Sequence, residues 1–272
     1  MVSFLFWNLN RKALQRTICK LAVRYKVDVF MFAELVFNPY DLLFELNKLH
    51  EKNRYFFSPI LGCELIHIFT KFHYKYIKPI DENDRLTIRH LSLPGLTDIL
   101  IAINHFPSKR FMSNESQAFE SVTLGNDIKK AEEKIGHRRT ILVGDLNMNP
   151  FEDGLISAIG LHAVSSKNIA IRNSRIVQGR EYQFFYNPMW GLFGDGSPGP
   201  PGTFYYHGSE QITFFWNIFD QVLIRPDLIK QFDNTVLSII TTDGEFSFLT
   251  SSGLPNGSLG SDHLPIYFEL DL

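Results

Sequence analysis

Two cysteines in 272 residues, Cys19 and Cys63, allow one disulfide at most and exclude a disulfide scaffold. So low a count suits a reducing compartment. The chain also lacks an excess of either charge: 27 basic against 29 acidic side chains leave a net charge of −2. Proteins that hold nucleic acid by a general electrostatic field are usually basic. Any phosphate contact here must therefore be local, or carried by metal ions. No apolar run approaches the roughly 18 residues of a membrane helix. The apolar start, "MVSFLFWNLNRK", lacks the basic opening and small-residue cleavage site of a signal peptide. These absences lead to the expectation of a cytoplasmic protein with no membrane partner. They leave the oligomeric state open, with a monomer the simplest case. There is no internal repeat at solenoid or propeller spacing, and no His or Cys pair has the local spacing of a zinc site.

What is present is an ordinary globular composition, 44% hydrophobic and 21% charged. Its length fits one α/β domain spanning residues 1–272. "VSFLFW" and "VDVFMF" read as strands covered on both faces. Between them, Leu14, Ile18, Leu21, Ala22 and Tyr25 fall at helical spacing. This βαβ opening predicts a sheet with helices packed on it. A second helix is expected from Tyr40 to His50. "ELIHIFT", "YKYIKPI", "LTIRHLSL" and "TDILIAIN" follow as short strand candidates. A long helix capped by Ser113 keeps Leu124, Ile128, Ala131 and Ile135 on one face. "TILVGDLN" is then a strand with a short exit loop. The breaker-rich stretch 187–202, "NPMWGLFGDGSPGPPG", reads as a surface loop, because strand signals resume at "TFYYH" and continue through "WNIFDQVLI", "TVLSII" and "HLPIYFEL".

Several apolar runs end in chemistry-bearing residues. Asn8 follows "FLFW", Glu34 follows "VFMFA", His105 follows "ILIAIN", and Asp145 and Asn147 follow "ILVG". Near the other end of the chain, Asp220 begins "DQVLI", while Asp262 and His263 precede the last strand. If the first four strands share one direction and the last two run against them, all these residues meet at one rim. Carboxylates and amides gathered in that way suit a hard cation such as Mg²⁺, which takes one or two carboxylates and keeps several waters.

Asn8, "FAEL" around Glu34, "NHFPSK" around His105, "GDLN" at 144–147, "FDQVLI" around Asp220 and "GSDHLP" at 260–265 occur in the order found in the endonuclease/exonuclease/phosphatase superfamily, which includes deoxyribonuclease I. The resemblance runs from residue 3 to residue 270. It implies a four-layer α/β/β/α sandwich, two mixed β-sheets flanked by helices, and metal-dependent cleavage of phosphoesters. By the same resemblance Glu34 is the main Mg²⁺ ligand, with Mn²⁺ as a substitute ion, and Asp262 is a metal ligand or lies just outside the ligand set. Asp145 activates the attacking water with help from Asn147. His263, aligned by Asp220, contacts the phosphate. His105 faces the scissile phosphate, and Asn8 braces Glu34 and the metal.

Two positions depart from relatives that act at abasic sites. Asn10 stands where some family nucleases carry a metal-binding aspartate, which weakens the case for two metals bound at once. His105 replaces a tyrosine, as in the deoxyribonuclease I and sphingomyelinase-type enzymes. Lys109 and Asn187 are candidate substrate contacts. The aromatic segment holding Trp190, Phe204, Tyr205, Tyr206 and Trp216 divides between core packing and base stacking. The expected activity is that of a nuclease on DNA or RNA. The alternative is a phosphatase or sphingomyelinase-type hydrolase of a small phosphorylated substrate or lipid headgroup.

Overall fold

The computed structural model describes residues 1–48, 54–59 and 61–272. The opening run forms β1 (Val2–Asn8), followed by α1 (Gln15–Tyr25), β2 (Val29–Ala33) and α2 (Pro39–Lys48). The last two residues of the helix expected to end at His50 lie outside the described residues. Next come β3 (Phe56–Ser58), β4 (Ile66–Thr70), β5 (Ile77–Asn83), β6 (Leu86–Leu91) and β7 (Ile99–His105). "YKYIKPI" is strand only from Ile77; Tyr74–Tyr76 is a 3₁₀ turn started by His73, whose Nδ1 accepts the Lys75 amide. The long helix is α3 (Asn114–Ile135), and the Ser113 hydroxyl accepts the Ser116 amide at its start. The second half holds β8 (Thr140–Asp145), α4 (Asp153–Ile156), β9 (Ala163–Val164), α5 (Lys167–Ala170), β10 (Ser174–Val177), β11 (Arg180–Gln183) and β12 (Phe185–Tyr186). It ends with β13 (Phe204–Tyr205), β14 (Trp216–Asn217), β15 (Asp220–Ile224), β16 (Ser238–Ile239) and β17 (Ile266–Leu270).

Two mixed sheets carry the molecule. One has the strand order β16-β17-β1-β2-β4-β3, the other β5-β6-β7-β8-β15-β12-β9. Side chains of a strand alternate between its faces, and the core divides accordingly. Phe4, Phe6, Val29 and Met31 of the first sheet join Ile101, Ile103, Ile141 and Val143 of the second in the layer between them. The alternate residues Leu5, Trp7, Phe30 and Phe32 pack on Ile18, Leu21, Leu42 and Leu46 of α1 and α2. Leu100, Ala102 and Leu142 pack on Leu124, Ile128 and Ala131 of α3. The result is the expected helix, sheet, sheet, helix sandwich. Strands apolar on both faces are what such layering requires. Among the described residues, no helix is long and apolar enough to cross a membrane.

β1 and β2 are parallel, as are β7 and β8. β15 runs against β8, and β17 runs against β1. The ends of the first four strands and the starts of the last two therefore share one rim. Gly144 in β8 makes a close approach there. A Cβ at this position would lie 1.8 Å from the Asn104 carbonyl oxygen, so any side chain would force β7 and β8 apart just below the rim.

Candidate active site

Strand register decides which residues become neighbours. Asn8 stands opposite Ala33, one residue before Glu34. His105, Asp145 and Asp220 stand abreast in one row of the second sheet. The two sheets are joined here, because Asn8 Nδ2 donates to Asp145 Oδ2 at 2.9 Å.

Asp145 is 1% exposed and held from both sides. Its Oδ2 takes the Asn8 amide, and its Oδ1 takes the Asn147 backbone N–H at 3.0 Å. Asn147 is itself anchored by Nδ2 to the Phe106 carbonyl at 2.9 Å. Asn8 thus braces Asp145 rather than Glu34, and its Oδ1 accepts the Asn10 amide. The backbone is tight along this rim: Asn10, Arg11, Glu34 and Asn147 have φ of 44°, 55°, 52° and 50°. Left-handed conformations cost non-glycine residues about 1–2 kcal/mol each. Such strain concentrates where geometry matters more than stability.

His263 and Asp220 form a buried pair. His263 Nδ1 donates to Asp220 Oδ2 at 2.8 Å, which leaves Nε2 facing the rim, 3.9 Å from Asp145 Oδ2. Burial disfavours the imidazolium, but the Asp220 and Asp145 carboxylates outweigh it and push the His263 pKa up to about 10. Burial also raises Asp220, against the pull of His263. The pair therefore holds one shared proton on the imidazole, favoured there by Asp145 and Asp262 as well. His105 Nε2 sits between Glu34 and the same Asp145, 3.5 Å from Glu34 Oε1 and 3.7 Å from Asp145 Oδ2. Arg11 Nε is 3.7 Å from Glu34 Oε2 at the open edge.

A supporting frame holds this set. Trp7 Nε1 donates to the His263 carbonyl at 2.8 Å. The Ser261 hydroxyl donates to the Asn8 carbonyl at 2.6 Å and accepts the His263 amide at 3.0 Å. The Thr203 hydroxyl accepts the Phe219 and Asp220 amides, both at 3.2 Å. Phe204 lies against the His263 ring, centroid to centroid 4.7 Å. Sequence reasoning missed all four roles. Only Ser261 had a signal, its place in "GSDHLP". Trp7 read as core, and Thr203 follows a Pro/Gly loop that says nothing of its partners.

No protein-family model matches the sequence, and no curated protein matches it. Solved structures do. A humanized D. rerio TDP2 superposes with a TM-score of 0.57 at 16% identity, covering 100% of this chain and 99% of that one. The endonuclease domain of TRAS1, a telomere-specific non-LTR retrotransposon, gives 0.51 at 16% identity, covering 100% and 99%. An endonuclease/exonuclease/phosphatase family protein from Leptotrichia buccalis gives 0.55 at 14% identity, covering all of both chains. The fold is that of the endonuclease/exonuclease/phosphatase superfamily.

Two residues singled out from the sequence are not free groups at this rim. Lys109 Nζ is an ion-pair partner of Glu152 and also donates to Asn114 Oδ1 and Gln117 Oε1. It ties the loop after β7 to the loop after β8 and has no donor to spare for a phosphate. Asn187 is fully buried; its Nδ2 donates to Gln221 Oε1, and its Oδ1 accepts the Met189 amide. It starts a 3₁₀ turn, so its position in the breaker-rich loop misled. The Asn149 side chain links Glu152, Asn217 and the Ile218 amide, clamping the β8 exit to the approach of β15.

The donor set fits a divalent cation. Asp145, Asp220 and Asp262 act on the His263 imidazolium, Glu34 lies beside His105, and Asp262 Oδ1 is buried without a hydrogen-bond partner. Asp145, Asp220 and His263 have ligand atoms within 4.8 Å of one another. However, the hydrogen bond of His263 to Asp220 and its raised pKa make that trio a proton-carrying unit. Asp262 Oδ1 is left as an oxygen donor without a partner, the kind of group a hard cation takes.

Proposed function

We propose that this chain is a metal-dependent phosphodiester hydrolase, acting as a nuclease on DNA or RNA. The observation that carries the reading is the pairing of Asp145, buried and oriented by two donors, with the His263–Asp220 couple whose Nε2 lies 3.9 Å away. Hydrolysis needs a positioned base, a donor for the phosphate oxygens and neutralised charge. Asp145 accepts the proton of the attacking water, with its lone pairs aimed by Asn8 and Asn147. His263 presents Nε2–H to a phosphate oxygen, and Asp220 holds the tautomer and the charge. His105 offers a second imidazole toward the leaving oxygen. Glu34 and Asp262 would hold Mg²⁺, which supplies charge neutralisation and orientation of the phosphate.

The Glu34 role has its own check. Glu34→Gln keeps the shape and removes the charge, so half-maximal activity should need at least about tenfold more Mg²⁺. Rate against metal concentration measures this; an unchanged curve removes Glu34 from the ligand set.

A nucleic acid is favoured over a small phosphoester by the hairpin β13–β14, which begins on His263 at Phe204. Its tip exposes Tyr206, Phe214 and Phe215 by 49%, 50% and 50%, and Phe214 rests on Phe151, just past the β8 exit. Aromatic faces beside a phosphate site can stack on bases at about 1–3 kcal/mol each. D. rerio TDP2, a neighbour in fold, has been crystallised with a single-strand DNA product. Replacing Tyr206, Phe214 and Phe215 together by alanine should raise KM for oligonucleotides about tenfold or more. Cleavage of a small chromogenic phosphodiester should hold steady; a parallel loss on both substrates removes the stacking role.

Oligonucleotide cleavage and plasmid nicking with Mg²⁺, beside phosphate release from inositol phosphates and hydrolysis of sphingomyelin, test the whole reading. Robust turnover of the latter substrates with no cleavage of any nucleic acid would establish the alternative hydrolase instead.

A further inference from the structure

The rim opposite the candidate active site carries a second convergence of side chains. His90 lies near the end of β6, Asp98 immediately before β7, His137 just after the Gly136 that ends α3, and Arg139 just before β8. β7 and β8 run in parallel from this rim to the other. The seven residues of β7 at about 3.3 Å each separate the two by about 20 Å.

Asp98 Oδ2 is 2.8 Å from His90 Nε2 and 3.2 Å from His137 Nε2, and the three ligand atoms all lie within 4.8 Å of one another. The other carboxylate oxygen, Oδ1, is occupied by Arg139 Nη2, and Arg139 Nε also donates to the Asp98 carbonyl at 2.8 Å. Arg139 therefore turns Oδ2 toward the imidazoles, as outer-shell partners of metal sites do. It also already balances the Asp98 charge, so two imidazoles on one oxygen exceed what the carboxylate needs. The side chains are 20%, 32% and 9% exposed, which leaves the point of convergence open to solvent.

We propose that His90, Asp98 and His137 form a second metal site, selective for a transition ion of the Zn²⁺ class, with water completing the coordination. Two imidazoles and one carboxylate match ions that favour nitrogen, whereas Mg²⁺ favours oxygen. Burial and Arg139 hold the His137 pKa below the ordinary histidine value, and neutral imidazole is the form that ligates. His137 Nδ1 accepts the Arg139 amide at 3.2 Å, so the ring proton now sits on Nε2. Coordination through Nε2 moves that proton to Nδ1 and gives up this long bond. Only an ion with strong affinity for imidazole offsets the loss. A bound ion would clamp the C-terminal end of α3 to the sheet it covers.

The test uses the chelator-stripped whole chain, titrated with Co²⁺ for visible absorption and with Zn²⁺ by calorimetry. In a Glu34→Gln background, which weakens the cation site of the active rim, one equivalent should still bind with nitrogen/oxygen ligand bands, since the two rims are separate. His90→Gln and His137→Gln should each weaken Zn²⁺ binding by more than the about 10–100-fold typical of losing an outer-shell partner. His137→Gln keeps a donor for Asp98, and an unchanged circular dichroism spectrum shows that its fold persists. Zn²⁺ affinity in both glutamine variants equal to the parent's overturns the proposal, as does a parent that binds no Zn²⁺ below millimolar concentration.

Discussion

Asp145→Asn should lower the cleavage rate by about 10²–10⁴-fold, the usual contribution of a positioned general base. Asparagine keeps the volume and its Oδ1 still accepts the Asn147 amide, but its Nδ2 then faces the Asn8 Nδ2 donor, so Tm should fall by the cost of one buried hydrogen bond while the fold persists. What it lacks is a group that can take the proton from water. The substitution also removes one of the carboxylates that outweigh burial at His263. The His263 pKa should therefore fall from about 10, measurable by NMR titration of the metal-free protein. Near-normal turnover would take the base role from Asp145. A rate loss without movement of the His263 titration would mean that the two groups are not electrostatically linked.

Asp220→Asn acts on the other half of the pair and should reduce the rate by about 10²–10⁴-fold. An amide can still bond Nδ1, but it does not stabilise the imidazolium, and it can select the wrong tautomer. The pH dependence has a definite sign. The folded His263 pKa, about 10, lies above the unfolded value near 6.5. Its stabilisation is fully present below about pH 6.5 and is lost as pH rises through about 10. The parent should therefore lose Tm on the alkaline side. In Asp220→Asn that loss should begin at lower pH, because only Asp145 and Asp262 then oppose the burial penalty. Calorimetric scans across this range decide it; identical alkaline profiles would mean that Asp220 does not hold the charge.

Much of the layering was legible because its physics is local. Strands apolar on both faces must be covered twice, and the spacing of Leu124, Ile128 and Ala131 could only be the face of α3. The strand-end polar residues were legible for a related reason: a carboxylate at the end of a buried run needs partners that a solvated turn does not. Lys109 and Asn187 went the other way. Both sat beside recognisable motifs, but a lysine's reach and an amide's rotamer are decided by neighbours 34–43 residues away, Glu152 for one and Gln221 for the other. The short strands β9 to β12 left little periodic signal, because two to four residues are too few to show a period of two.

By itself the sequence determined that the chain layers helices on two-sided apolar strands, and that a set of acids, amides and imidazoles ends those strands, since both follow from spacing along the chain. Tertiary structure alone decided the partnerships: that Asn8 braces Asp145 rather than Glu34, that Trp7 and Ser261 hold His263, and that His90, Asp98 and His137 meet on the far rim. Hydrogen bonds and ion pairs act over about 3–4 Å. Strand register sets those distances, and it brings residues 8 and 145, or 7 and 263, into contact in a way that no local pattern encodes.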